Sequence, residues 1–195
     1  MKRTLIATAV LLAASFGAFA QTAASTVQRD VNQQQRIENG LQDGKITTRE
    51  AALLERDEAK VDRLQAKALK DGKLSAAERA ELKAAQNKSS RDIHAAQTNG
   101  VNGNPLSASS QRAQADVQRN INQEKRIENG IQNGSLTNRE VAKLEHGQAK
   151  VDHKEYVAGR DGKIGAKEQG RVQRTENRQS KKIHHEKNDA DQRKS

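Results

Sequence analysis

The chain has 195 residues, carries a formal net charge of +10 and contains no cysteine. Without cysteine, disulfides, thiolate nucleophiles and zinc–thiolate sites are excluded. Only 2% of the residues are aromatic, and Tyr156 is the only aromatic residue that follows the first twenty residues. Base recognition by rows of stacked aromatic rings is therefore excluded, and sequence-specific nucleic-acid binding is not expected.

The first twenty residues have the pattern of a secretory signal peptide. Lys2 and Arg3 are followed by an apolar stretch to Ala14, and Ala18 and Ala20 supply small residues for cleavage. The pattern predicts a mature chain that begins at Gln21 and is periplasmic or secreted. Its net charge would be +8, since 10 − 2 = 8, which favours anionic partners. No later apolar run has the length of a transmembrane helix.

Residues 27–98 align with residues 117–188 at an offset of ninety without a gap, and 32 of the 72 aligned positions are identical. The chain therefore contains two copies of one unit. Asn99 to Ser110 is rich in Gly, Asn and Ser around Pro105, the only proline, which is typical of a flexible linker. The predicted organisation is a signal peptide (1–20), a first unit (21–98), a linker (99–112), a second unit (113–188) and a disordered basic tail (189–195).

Each unit is predicted to contain three helices separated by two turns of one design. The turns of the first unit are Asp43–Glu50 and Asp71–Glu78, and those of the second are Asn133–Glu140 and Asp161–Glu168. In each turn a glycine ends the incoming helix. A Thr or Ser followed three residues later by Glu then forms a capping box, except where Gly165 replaces the capping hydroxyl. The sequence therefore predicts an all-α fold of two tandem three-helix units joined by a flexible linker.

The recurring pattern Asp/Asn-Gly-x-[Ile/Leu]-[Thr/Ser]-x-x-Glu resembles the second half of an EF-hand calcium loop. The resemblance implies degenerate EF-hand-like helical hairpins, as in repeat proteins exported by bacteria, and weak calcium binding. Aligned position by position, it implies Asn39, Asp43 and Glu50 as ligands in the first unit, and it implies Asn129, Asn133 and Glu140 in the second. The third loop position is apolar in both turns. Turn formation and helix capping also explain these residues without an ion.

A second candidate metal site lies near the C-terminus, where His184 and His185 precede Glu186. Imidazole groups bind zinc, copper or nickel. Neighbouring residues of a helix point about 100° apart, so solvated histidines on a basic helix are the alternative. The many carboxylates lie among Lys and Arg at helical spacing, which we interpret as surface ion pairs.

No catalytic motif is present, and the sequence indicates a protein that is not an enzyme and needs no cofactor. The first hypothesis is an exported interaction protein of the cell envelope that binds a protein or an anionic envelope component. The second is a divalent-cation binder or sensor that uses the EF-hand-like turns or the histidine segment. The third is a binder of anionic polymers, driven by the positive charge. The oligomeric state stays open.

Overall fold

The computed structural model describes residues 14–189, with side chains from Ala23 onward. The described residues form six α-helices and no strand, which confirms the all-α prediction. No helix among them is long and apolar enough to cross a membrane. Most of the predicted signal peptide and all but one residue of the predicted tail lie outside the described residues. The helices are α1 (Ala14–Gln42), α2 (Thr48–Ala68), α3 (Ala76–Thr98), α4 (Ala108–Gln132), α5 (Asn138–Gly159) and α6 (Ala166–Lys187).

The turns between the helices have the predicted capping chemistry. Thr47, Ser75 and Thr137 each accept a hydrogen bond from the backbone N–H of the Glu three residues later, and that Glu side chain accepts one in return. At the fourth turn Gly165 has no side chain to accept, but its N–H donates to Glu168 Oε2 at 2.7 Å. These local interactions fix where each helix begins and how it leaves the turn.

Helices of one repeat pack against their equivalents in the other repeat. Helix α1 packs on α4 and α2 packs on α5, while α3 and α6 lie outside this central group of four. Such pairing of equivalent surfaces is typical of an internal two-fold symmetry axis. Gly159 permits the close approach of α5 to α2, because a Cβ there would lie 3.0 Å from Ala52 Cβ.

The apolar core is shared by the two repeats. Two clusters of buried side chains each contain residues from both copies, so neither copy buries its apolar face alone. In the first cluster the larger members are Val27, Leu69, Leu74, Leu82, Ile127, Ile131, Leu136, Val141, Leu144 and Ile183. In the second they are Val31, Ile37, Leu41, Ile46, Leu54, Ile93, Val117, Ile121 and Ile164.

The segment between α3 and α4 makes hydrogen bonds to the first turn. The Gly103 N–H donates to Gly44 O at 2.8 Å, and Asn99 Nδ2 donates to Glu50 Oε1 at 2.7 Å. Helix α4 begins at Ala108, with Ser107 as its N-cap, so the last part of the range predicted as linker is helical.

Candidate metal centre

The interior of the helix group contains an unusual number of carboxylates. Fourteen Asp and Glu side chains are less than a tenth exposed, whereas no Lys, Arg or His of the described residues is buried. Except for Glu176 and Glu186, which pair with Arg119 and Lys143, the interpretation as surface ion pairs is wrong for these residues, because their side chains are buried with the apolar residues. They are Asp30, Glu38, Glu55, Glu58, Asp62, Asp116, Glu124, Glu128, Glu140, Glu145, Asp152, Glu155, Glu176 and Glu186.

Three of these carboxylates converge from three helices to form what we call the first set. It consists of Asp30 of α1, Asp62 of α2 and Glu145 of α5, and each contributes one oxygen within 4.8 Å of the other two. Asp30 Oδ1 accepts a hydrogen bond from Gln86 Nε2 at 2.7 Å. Asp30 Oδ2 and both oxygens of Glu145 have no hydrogen-bond partner, although Glu145 is 0% exposed.

The second set consists of Glu55 of α2 with Asp152 and Glu155 of α5, again with one oxygen from each within 4.8 Å of the others. Gln34 Nε2 donates to Glu55 Oε2 at 2.9 Å. Asn120 Nδ2 donates to Asp152 Oδ1 at 3.2 Å and to Glu155 Oε2 at 3.0 Å. One oxygen each of Glu55 and Glu155 is left without a partner.

The two sets are built from equivalent positions of the two repeats. At the ninety-residue offset Asp62 corresponds to Asp152 and Glu55 corresponds to Glu145. These two positions carry a carboxylate in both copies. Each set also draws ligands from both repeats, since Glu145 completes the first set and Glu55 completes the second. The sets therefore exist only because α2 and α5 pack together.

Two positions that contribute to the sets have an acid in one repeat and an amide in the other. Asp30 corresponds to Asn120, and Gln65 corresponds to Glu155. The first copy has the acid at one position and the amide at the other, and the second copy reverses the choice. Gln65 is 0% exposed, and neither its amide oxygen nor its amide nitrogen has a partner. Each set thus keeps three carboxylates, whichever copy supplies them.

The two sets adjoin at Asp62 and Asp152, whose carboxyl groups lie close enough for each to shift the pKa of the other. Burial raises the pKa of both groups well above its usual range. The neighbouring carboxylate of Glu124 raises the pKa of Asp62 further, and Asp62 does the same to Asp152. Burial and then Glu124 likewise raise the pKa of Glu145. Burial and like charges this close together favour the protonated form of each carboxyl.

A further carboxylate lies beside each set. Burial raises the pKa of Glu124, beside the first set, to about 8. Burial and the nearby Glu176 raise the pKa of Asp116, beside the second set, to about 8. Glu176, next to Asp116, has a basic partner, since Arg119 Nη1 lies 3.0 Å from Glu176 Oε2. That ion pair is at the outer edge of the cluster, and its arginine is partly exposed.

Buried carboxylate oxygens without partners have two ways to be stabilised, by a proton or by a cation. Burying an unpaired charge costs several kcal/mol even after the protein relaxes. The two sets offer carboxylate oxygens with amides beside them, which is the ligand type of hard cations rather than of zinc or copper. A narrow crevice lined by Glu55, Asp116 and Glu155, between small side chains such as Ala52, reaches the second set.

The ligands predicted in the first EF-hand-like turn lie elsewhere. Asn39 and Asp43 are exposed. Asp43 Oδ2 lies 3.5 Å from the Lys45 ammonium. Glu50 Oε2 accepts hydrogen bonds from the Thr47 N–H and hydroxyl at 2.9 and 2.7 Å. Capping therefore occupies the carboxylate that the resemblance assigns to calcium.

In the second turn Asn129 and Asn133 are exposed, and Asn133 Oδ1 accepts from the Ser135 N–H at 3.0 Å. Glu140 is buried and caps its helix, with Oε2 2.6 Å from the Thr137 N–H. It also has an oxygen within 4.8 Å of oxygens of Glu186 and Asp189. That third acidic group has a counter-ion, since Lys143 Nζ lies 3.2 Å from Glu186 Oε2.

The histidine pair also lies away from the two sets. His184 and His185 are exposed on the last turn of α6. His184 Nδ1 lies 3.3 Å from Asn188 Nδ2, and neither imidazole belongs to a convergent group of metal-type ligands in the described residues. Calcium binding at the turns and transition-metal binding at the histidines stay predictions.

The interior carboxylates do leave a signal in the sequence. Glu55, Glu58 and Asp62 follow an i, i+3, i+7 spacing that places them on one helix face. Leu54 and Val61, each adjacent to one of them, are buried on that face as well. An acid stripe that coincides with the apolar stripe indicates burial, and its first and last positions are acidic in both copies. Comparison with protein-family models, with curated proteins and with solved structures finds no match to the chain.

Proposed function

We propose that this protein binds hard, multivalent cations through the two carboxylate sets in its interior. The observation that carries the proposal is the environment of Glu145. Its carboxylate is 0% exposed, both oxygens lack a hydrogen-bond partner, and oxygens of Asp30 and Asp62 lie within 4.8 Å. An ion at this point supplies the countercharge that the surrounding helices do not.

Cation binding would also stabilise the fold. A ligand that binds only the folded state raises the free energy of unfolding by RT ln(1 + [L]/Kd), about 2.7 kcal/mol at a hundredfold excess over Kd. Because each set takes ligands from both α2 and α5, a bound ion holds the two repeats together. We therefore expect the bound cation to stabilise the packing of the two repeats in addition to being the ligand of the protein.

The proposal places this binder outside the cytoplasm. Cleavage before Gln21 removes none of the described core residues, which start at Ala23. The product would be two three-helix units connected by the segment between α3 and α4. N-terminal sequencing of the exported protein should read Gln21 as its first residue, and an intact Met1 would contradict export. The interaction-protein hypothesis stays a prediction beside this proposal.

Isothermal calorimetry and native mass spectrometry of the mature chain test the cation proposal. Calcium, manganese and lanthanum chlorides are the probes, and we expect two ions per chain. The variants Asp62→Asn and Glu145→Gln keep the shape of the side chain and remove one carboxylate each. Each should weaken binding at least tenfold.

Matched controls address the sites predicted from sequence. Asp43→Asn removes a carboxylate from the first turn, and His184→Ala with His185→Ala removes the imidazoles. These variants should bind the same ions with unchanged affinity and stoichiometry. If they abolish binding while Asp62→Asn and Glu145→Gln do not, the interior is not the site. Absence of binding by all three ions would refute cation binding itself.

A further inference from the structure

A pocket between α2, α5 and α6 is lined almost entirely by basic side chains. Its volume is about 210 Å³, and its other lining residues are Ala149 and Thr175. None of the six carboxylates of the two sets lines it, so the pocket is separate from the cation sites proposed above. The basic lining residues are Arg63, His146, Lys150, His153, Lys154 and Arg178.

The equivalent place in the first repeat has a carboxylate among its basic side chains. Asp57 Oδ1 lies 2.5 Å from Lys60 Nζ and 3.4 Å from Arg56 Nε, and Asp57 Oδ2 lies 3.9 Å from Lys88 Nζ. At the ninety-residue offset these three basic residues correspond to Lys150, His146 and Arg178. Asp57 thus supplies the counter-ion of the basic cluster in the first repeat.

The second repeat does not supply that carboxylate, because Gly147 stands where the first repeat has Asp57. A Cβ added at Gly147 would overlap the carboxamide of Gln179, whose Nε2 donates to Leu144 O at 2.9 Å. The first repeat has the smaller Ser89 at the position of Gln179. Among the described residues, no carboxylate oxygen lies within 4.0 Å of a basic group of the pocket. The pocket therefore has a basic cluster without a counter-ion.

Two further differences between the repeats shape the lining of the pocket. Lys154 adds a positive charge where the first repeat has Leu64. The Thr175 hydroxyl, which is absent at the equivalent Ala85, accepts a hydrogen bond from Arg178 Nη2 at 3.2 Å and orients the guanidinium. With both histidines neutral, the four Lys and Arg side chains of the lining still carry four positive charges.

We propose that this pocket binds a phosphate group. A guanidinium donates paired hydrogen bonds to phosphate oxygens, and lysine ammonium groups add point charges. A phosphate dianion carries more charge than the single carboxylate of Asp57, which fits a pocket whose four cations have no carboxylate partner. The lining has no Phe, Tyr or Trp, so an attached base or sugar gains nothing from stacking on such a ring. Lys150, Lys154 and Arg178 are exposed, so the phosphate group of a larger molecule can reach them from solvent.

Titration of the mature chain with inorganic phosphate, followed by amide NMR in EDTA, measures this binding. We expect one site, with the largest shifts in 146–154 and 175–178. Lys154→Leu introduces the residue of the first repeat and should weaken phosphate binding about tenfold. The control Lys83→Leu removes the same charge from an exposed position outside the pocket. At an ionic strength of about 0.1 M, where distant exposed charges are screened, it should leave the affinity within about twofold.

The first repeat supplies two sharper variants. Gly147→Asp with Gln179→Ser reproduces Asp57 and Ser89, and the new carboxylate should weaken phosphate binding about tenfold or more because it takes the place of the anion. Gln179→Ser alone should bind phosphate as the wild type does. Asp57→Asn removes the counter-ion of the first cluster and should create a second phosphate site.

Circular dichroism identifies any variant that does not fold, and if the double variant fails, Lys154→Leu against Lys83→Leu decides. Co-sedimentation with phosphatidylcholine vesicles that contain phosphatidic acid distinguishes the source of the phosphate. Vesicle binding that Lys154→Leu weakens assigns a lipid headgroup, and binding of inorganic phosphate alone assigns a soluble ligand. The inference is overturned if neither probe binds, if Lys154→Leu and Lys83→Leu have equal effects, or if a folded double variant keeps the wild-type affinity. None of these variants changes a carboxylate of the two sets, so cation binding stands or fails separately.

Discussion

Raising the pH should destabilise the ion-free protein, since the carboxyls of its interior must ionise without a counter-ion. Glu55 and Glu124 each have a pKa of about 8 in the folded protein against an ordinary value of 4.5, mainly because of burial. Between these values the folded state holds protons that the unfolded state has lost. The stabilisation is complete below about pH 4.5 and is lost as the pH rises through about 8.

The size of the effect follows from the number of groups. Each carboxyl that is protonated when folded and ionised when unfolded contributes about 1.4 kcal/mol per pH unit. Glu55 and Glu124 alone contribute a slope of about 2.7 kcal/mol per pH unit, or roughly 5 kcal/mol between pH 5.5 and 7.5. Other buried carboxyls whose pKa is raised, such as Glu145, add to this slope. Small domains have only about 5–15 kcal/mol of stability in total. The ion-free protein should therefore be markedly weaker at pH 7.5 than at pH 5.5.

Urea denaturation followed by circular dichroism at pH 5.5, 6.5 and 7.5, with EDTA present, measures this slope. The control is the double variant Glu55→Gln with Glu124→Gln, in which the second change reproduces the amide found at Gln34 in the first repeat. Its slope should be smaller by about 2.7 kcal/mol per pH unit. A free energy of unfolding that is constant or rises with pH in the wild type would refute the reasoning.

Two further predictions concern the fold. Residues 21–98 alone should fail to form a stable monomer, because both apolar clusters are completed by the other repeat. Sedimentation velocity of this fragment should find an unfolded chain or a homodimer. A folded monomer would contradict the shared core. Gly130→Ala should lower the free energy of unfolding by about 1–3 kcal/mol through overpacking, since the added Cβ would lie 2.5 Å from Leu136 Cδ1. Gly170→Ala should raise the free energy of unfolding by up to about 1 kcal/mol, because alanine favours the helix and the added Cβ would meet only Arg174 Nη1, at 3.6 Å. Thermal melts of the pair separate packing from helix propensity, and equal shifts would contradict the contact at Leu136.

Local structure was accessible from the sequence because it depends on neighbours in the chain. The N-caps Thr47, Ser75 and Thr137 could be predicted from their spacing to a following Glu, and the structure confirms them. The same spacing underlies the EF-hand-like resemblance, which places the candidate calcium ligands in the turns. Glu50 illustrates the outcome, since the oxygen assigned to calcium accepts hydrogen bonds from Thr47.

The candidate site was not accessible from the sequence because it depends on which helices meet. The helical spacing of Glu145 with Leu144 and Val151 could indicate that it is buried, but it does not indicate which residues of the other repeat it contacts. Only the packing of α5 on α2 places it beside Asp62. The ninety-residue offset showed that the copies are equivalent, but gave no indication that equivalent helices pack together.

Duplication explains how such a site can persist while each copy changes. A set that took all of its carboxylates from one repeat would lose affinity with any substitution in that repeat. Here Asp62 and Glu145, from different copies, lie in one set, and Asp152 and Glu55 lie in the other. Substitution of an acid in one copy removes a carboxylate from a set that also contains residues of the other copy. An acid gained by the other copy can restore the number of carboxylates in that set. An ion bound as proposed would stabilise the pairing of the copies as well as its own ligands. Loss of the ion should loosen the contact between α2 and α5 first, because five of the six carboxylates of the two sets lie on these two helices.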